Sequence, residues 1–335
     1  MFTKARQIAS KMTDLIRAFF IVIAIVATTG NVLVLLLFLK KRAWLQKIHN
    51  CLIFALALQD VLTAFFIAVS PSLILSKNHY KVPENAFARE LYCRLVWSQY
   101  LVFSLGITSI YTGVAFSFER WLAVFKPMFY KNFARSRFRV AALVLLPWLL
   151  AFAIEVGTVV RVKNRKTKDG SNSFVCFWDD FHAAGHALSI FQAVFRFSGI
   201  IVIPGTITVI AYIQIINRVR KSRNNVTSLS NGLELSAENT RNAAVLRRTT
   251  IMAFLASFSV VLFWLPSQFH FMLVQLDKAQ INSTVHTTFK LFAFSNSCLN
   301  PFIYCFSKAS YRKGFKEIFL QFIYVLRACS RKESV

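Results

Sequence analysis

A proline stands inside an apolar run near the carboxyl terminus, in Asn300-Pro301-Phe302-Ile303-Tyr304. Proline removes a backbone donor and clashes with the preceding turn, so it kinks a helix and frees a carbonyl. In lipid that carbonyl must find a partner within the protein. The flanking Asn and Tyr point to a packed, partly wet joint. A second run, Cys51–Leu75, is charged only at Asp60, and a third carries Ser109. With Asn296, Ser297 and Asn300 these groups offer one carboxylate and several neutral oxygens, costly in an apolar run and therefore a mark of function. Two chemistries fit: a hard cation such as sodium, or a protonated carboxyl in a hydrogen-bonded network with water. The third run ends in Glu119-Arg120-Trp121, an acid–base pair that by itself reads as a solvated surface pair. Trp264 beside Pro266 reads by itself as core packing.

The elements that must position these groups are long. Seven apolar stretches recur: Ala18–Leu39, Cys51–Leu75, Leu95–Phe118, Val140–Val160, Ala187–Ile216, Thr249–Leu276 and Ile281–Ser307. At about 1.5 Å per residue each can cross a hydrocarbon core. The first, third and sixth hold no Asp, Glu, Lys or Arg. The expected fold is all-α: a membrane bundle of seven helices over 18–307, with 1–17 before it and 308–335 after it. Lys308–Ile323 alternates Arg312, Lys313 and Lys316 with Phe315, Ile318, Phe319, Phe322 and Ile323, the pattern of an amphipathic helix on a membrane surface. Met1–Arg17 is basic and polar, and the first apolar run is too long for a signal-peptide core, so the first span is expected to act as its own anchor. Ser222–Asn242 is Ser/Asn-rich and reads as a mobile loop with phosphorylation sites.

A net charge of +26 would suggest nucleic acid in a soluble chain. Here the basic residues cluster between spans: Lys40 to Lys47, Lys126 to Arg139, Arg218 to Arg248 and Lys308 to Lys316. With the amino terminus outside, all four clusters are cytoplasmic, beside anionic lipid. Lys4, Arg6, Lys11, Arg17 and the loop Arg161–Lys168 oppose this orientation, but the sum favours it. Nucleic acid is not an expected partner. Cys93 and Cys176 then both lie outside, where one disulfide between them is expected, two free thiols being the alternative. Asn282-Ser283-Thr284 is a glycosylation sequon on the same side. Cys329 reads equally as a palmitoylation site or a free thiol.

Each span carries a mark in order: Gly30-Asn31; Leu56 to Asp60; Cys93 with Glu119-Arg120-Trp121; Trp148; Pro204 with Tyr212; Phe263-Trp264-Leu265-Pro266; and Asn300 to Tyr304. Together these resemble the rhodopsin-like (class A) G-protein-coupled receptors over nearly the whole chain. The resemblance implies a ligand-operated switch at the plasma membrane, not an enzyme. Arg120 would be held by Glu119 at rest and released toward a heterotrimeric G protein when helix six swings out, with Tyr212 and Tyr304 supporting the open state. Trp264 would floor the ligand pocket. Asp60, Ser109, Asn296, Ser297 and Asn300 match a pocket for an allosteric sodium ion; no other cofactor is implied. Arrestin and receptor kinases are further implied partners. Two departures stand out. Cys93 to Arg120 spans 27 positions, about two more than usual, so the top of helix three is expected to be irregular or its loop longer. Helix six starts Leu246-Arg247-Arg248 without an acid to hold Arg120, which implies appreciable basal activity.

For the ligand, the position of an amine-binding Asp falls near Tyr100 and that of a retinal-binding Lys at Phe294, which argues against both. Arg196 and Lys290, in the outer halves of spans, suit a carboxylate or phosphate. The plainer alternatives are that Arg196 pairs with Glu155 and Lys290 snorkels outward. Gln99, Tyr100, Gln268 and His286 would add hydrogen bonds. A peptide or small anionic ligand is therefore expected. The alternative class, a seven-helix transporter or channel, would need internal repeats, and none is seen. HExxH, GxSxG and paired intramembrane aspartates are also missing, so a membrane enzyme has little support.

Overall fold

The structure, a computed structural model, describes residues 2–71, 73–75, 80–167, 173–179, 185–229, 237–281, 283–307 and 309–332. Sequences this apolar form helices because a helix satisfies its own backbone where no water is present. The described helices are α1 (Phe2–Lys40), α2 (Ile48–Val69), α3 (Ala86–Leu91), α4 (Tyr100–Phe125), α5 (Pro127–Arg135), α6 (Arg137–Val160), α7 (His186–Phe197), α8 (Ile203–Leu229), α9 (Ala237–Gln275), α10 (Thr284–Ser307) and α11 (Ala309–Lys332). Among the described residues six spans are long and apolar enough to cross a membrane: Lys11–Lys40, α2, α4, α6, His186–Lys221 and Thr249–Gln275. The fifth of these is α7 and α8 joined by a π turn, Ser198–Val202, just before Pro204, where the helix must accommodate a missing donor. The seventh helix, α10, is long enough and less apolar than the other six, because it carries Lys290, Asn296, Ser297 and Asn300. It packs on α9 and α1, and the seven form one bundle with α4 touching α2, α6, α8 and α9.

Boundaries follow local chemistry. The second span ends at Val69, short of the expected Leu75, because Ser70 precedes a proline and leaves the helical region. The third begins at Tyr100 and not at Leu95: residues Tyr92–Trp97 form a π turn and Gln99 is left-handed, with φ of 62°. A left-handed non-glycine costs about 1–2 kcal/mol. The extra length between Cys93 and Arg120 is taken up here. The loop expected over Ser222–Asn242 is partly helical, since α8 runs to Leu229 and α9 starts at Ala237.

Strands β1 (Val162–Lys166) and β2 (Phe174–Trp178) pair antiparallel, with Asn164 opposite Cys176. Cys176 is disulfide-bonded to Cys93, which ties this hairpin over the start of α4. Apart from a small cluster around the disulfide, the interior among the described residues divides into two apolar clusters. One, toward the disulfide, gathers Trp264, Phe294, Phe20 and Val102. The other, toward Arg120, gathers Tyr212, Tyr304, Tyr311, Phe116 and Phe38. Polar residues lie between them. At the Arg120 end α11 turns away from α10, with Tyr311 packed on Trp44 and Glu317 paired to Lys41 at 3.2 Å.

Candidate functional site

The polar layer answers the question that Pro301 raises. Pro301 cannot donate to the carbonyl of Ser297, one turn earlier, and Asn31 of α1 supplies the missing donor: its Nδ2 lies 2.9 Å from Ser297 O. The two helices approach closely because Gly30 faces the proline ring, where a Cβ would sit 2.9 Å from Cγ. Asp60 is fully buried, and Asn300 Nδ2 donates to its Oδ2 at 2.8 Å. Its Oδ1, and the side-chain oxygens of Asn31 and Asn300, are buried without hydrogen-bond partners. A carboxylate with several unsatisfied neutral oxygens suits a hard cation. The Ser297 side chain lies within hydrogen-bond reach of Asp60, while its carbonyl accepts from Asn31. Two other residues expected there are differently engaged: Ser109 Oγ donates to Leu105 O at 3.4 Å, and Asn296 Oδ1 accepts from Ser259 at 3.4 Å.

Toward the disulfide, a cavity of about 50 Å³ is lined by Gln99, Arg196, Gln268, His286 and Lys290 among others. Small-molecule sites usually span about 300–1,000 Å³, so a ligand enters only if these side chains move. The left-handed turn at Gln99 directs its amide inward: Oε1 accepts from Lys290 Nζ at 3.0 Å, and Nε2 donates to Pro71 O at 3.3 Å. Lys290 therefore does not snorkel outward; it is buried, with its ammonium 5.5 Å from the Phe103 ring centroid. Arg196 pairs with Glu155 at 2.5 Å and donates to Thr158 at 3.2 Å. His286 meets His270 of α9, Nδ1 to Nδ1 at 3.1 Å. Two expected pocket residues are not in this lining. Tyr100 turns to α6, its hydroxyl donating to Phe152 O at 3.0 Å. Trp264 lies one layer deeper, its ring against Phe103 and Phe294.

At the opposite end, a cleft of about 660 Å³ is lined by Arg120, Tyr130, His49, Asn50, Trp44 and Tyr311, with others. Arg120 donates through Nε and Nη2 to the two oxygens of Glu119, a bidentate and charge-assisted pair. Both are buried, so this is not the solvated surface pair that the local sequence alone suggests. The Tyr130 hydroxyl also donates to Glu119, at 2.7 Å. Burial, with Glu119 beside it, holds that phenol above its ordinary pKa, so it stays a donor. Tyr130 was not singled out from sequence. It lies ten residues beyond Arg120, past Pro127, and only the fold of α5 brings it back. Tyr212 and Tyr304 are buried nearby; the Tyr212 hydroxyl lies beside the hydroxyls of Ser257 and Ser117, and that of Tyr304 has no hydrogen-bond partner among the described residues. Asn282 lies outside the described residues, as does the side chain of Cys329.

A family model described as "7 transmembrane receptor (rhodopsin family)" matches residues 30–304. An allatostatin-A receptor of Bombyx mori is 25% identical over 95% of this chain and 82% of its own length. A tachykinin-like peptides receptor 99D of Drosophila melanogaster is 24% identical over 90% of this chain and 56% of its own. A galanin receptor 2a of Danio rerio is 26% identical over 95% and 81% respectively.

Proposed function

The chain belongs to the rhodopsin family of seven-transmembrane receptors, and from that membership we propose that it converts binding of an extracellular peptide or small anion into activation of a heterotrimeric G protein. The observation that carries this reading is the buried Arg120, held by Glu119 and facing a large cleft at the end of the bundle opposite the disulfide. A guanidinium sequestered on a cleft wall is a group kept ready for a partner, because releasing it changes both charge and shape there. The basic clusters between spans support placing this cleft in the cytoplasm, with the amino terminus and the hairpin outside at the plasma membrane. Arrestin and receptor kinases would meet the same face, and anionic lipid the basic surface of α11.

Asp60, with Asn300, would hold a sodium ion, whose charge would compensate the buried carboxylate in the closed arrangement. The chain's own residues do the rest. Pro301 and Asn31 form the joint between that layer and Tyr304. The unsatisfied Tyr304 hydroxyl gains a partner when the cleft opens to water, which offsets part of the cost of opening. An agonist shifts this balance only by binding the open arrangement better.

For the ligand, support comes from Lys290 and Arg196 around the first cavity, and from relatives of which one is named for tachykinin-like peptides. The test is a panel of peptides and anionic metabolites on cells expressing the chain, read with G-protein sensors. An acidic agonist should lose at least tenfold in potency in Lys290→Ala. Equal loss for acidic and neutral agonists would refute the charge reading, and ligand-evoked current or uptake in cells without G proteins would favour a channel or transporter.

A further inference from the structure

We infer that the chain carries a second site, a lateral cavity among α6, α7 and α9 that takes the acidic head group of a membrane amphiphile. This cavity, about 150 Å³, is larger than the first and adjoins it across Thr158, Trp178, Arg196 and Phe271, which line both. Two guanidinium groups belong to its wall, Arg161, which donates to Gln192, and Arg196, and no carboxylate lines it among the described residues. Glu155, which pairs with Arg196, lines the first cavity only.

Two atoms there lack partners among the described residues: Arg196 Nε is buried without an acceptor, and Gln275 Oε1 is buried without a donor. Gln275 itself is 6% exposed. An anionic oxygen would accept from Arg196 Nε, and a head-group hydroxyl or a water would donate to Gln275. Arg161 caps the end of α6 and Gln275 is the last residue of α9, so the cavity lies at the depth where head groups meet hydrocarbon.

The shape selects an amphiphile. The volume is about half the lower limit for a whole small molecule, enough for a head group. Gly157 and Phe195 line it and are also exposed on the outside of the bundle, so it opens sideways toward lipid. The adjoining Val156 and Val160 are exposed and apolar, a surface along which an acyl chain would lie. This inference rests on the proposed orientation but not on signalling.

The experiment uses the full chain in nanodiscs of zwitterionic lipid, with radiolabelled oleate as the probe and methyl oleate and acetate as competitors. Saturable oleate binding is expected, with methyl oleate and acetate each at least tenfold weaker. Arg161→Ala should weaken binding at least tenfold. Gly157→Leu should do the same by occupying the opening, since a Cβ there meets no atom within 4 Å and the fold should tolerate it. Absence of saturable binding, equal competition by methyl oleate, or wild-type affinity in Gly157→Leu would each overturn the site. Acetate competing as well as oleate would overturn the amphiphile and leave a site for soluble anions. A silent receptor would leave all these results intact.

Discussion

Asn31→Leu should destabilise the bundle only while residue 301 is proline. The Asn31 side chain is fully buried, and its Nδ2 is the donor to the Ser297 carbonyl that Pro301 leaves free. Leucine keeps the same branched heavy-atom skeleton, and the steric cost of its bulkier methyls is common to both backgrounds below, so the difference between them reports that hydrogen bond. Leaving a buried carbonyl unsatisfied costs about 1–3 kcal/mol. Removing the unpartnered Asn31 Oδ1 offsets part of this, so a net loss of about 1–2 kcal/mol is expected, or a few degrees in thermal midpoint. In a Pro301→Ala background the new amide can donate to Ser297 itself, and the same Asn31→Leu change should then cost less than about 0.5 kcal/mol. The assay is a double-mutant cycle on the purified chain in nanodiscs, followed by thermal or denaturant unfolding. Equal costs in the two backgrounds would refute the pairing of Asn31 with the proline-freed carbonyl.

Other outcomes follow from single contacts. Tyr130→Phe removes one charge-assisted hydrogen bond to Glu119, about 1–2 kcal/mol, so ligand-free G-protein activation per surface receptor should rise roughly 5- to 30-fold. Wild-type basal signalling would remove Tyr130 from the restraint. Gly106→Ala would place a Cβ 1.9 Å from the Trp264 ring, beyond what a packed core absorbs, so surface expression should collapse; normal expression and ligand response would contradict this packing. Arg196→Ala leaves buried Glu155 uncompensated and should cost about 3–5 kcal/mol. A thermal midpoint as high as that of wild type would show that the pair is not structural. Asp60→Asn should abolish any dependence of agonist affinity on sodium, and a dependence that persists would place the ion elsewhere.

Much of the bundle was legible because its causes are local. Apolar length predicts a span, and proline predicts a broken ladder wherever it occurs. All seven spans were readable as apolar runs, the seventh less apolar than the rest, since its polar residues lower its hydropathy while they build the interior layer. The left-handed Gln99 was visible only as surplus length between Cys93 and Arg120. Side-chain direction was the least legible feature. Tyr100 faces α6 because α4 starts after a π turn, and that rotation cannot be read from a list of polar residues.

The sequence by itself determined the seven helices, the freed carbonyl before Pro301, the two cysteines able to bridge and the acid–base pair at the end of α4. These depend on covalent chemistry and on neighbours within a turn. Only the tertiary structure decided that Asn31 satisfies Ser297, that Arg196 answers Glu155, that Tyr130 joins Glu119, and that the free volume lies beside the expected pocket. Those partners lie tens to hundreds of residues away, or beyond a turn, as Tyr130 does. Which of them meet is set by how the helices cross, a property of the whole packing.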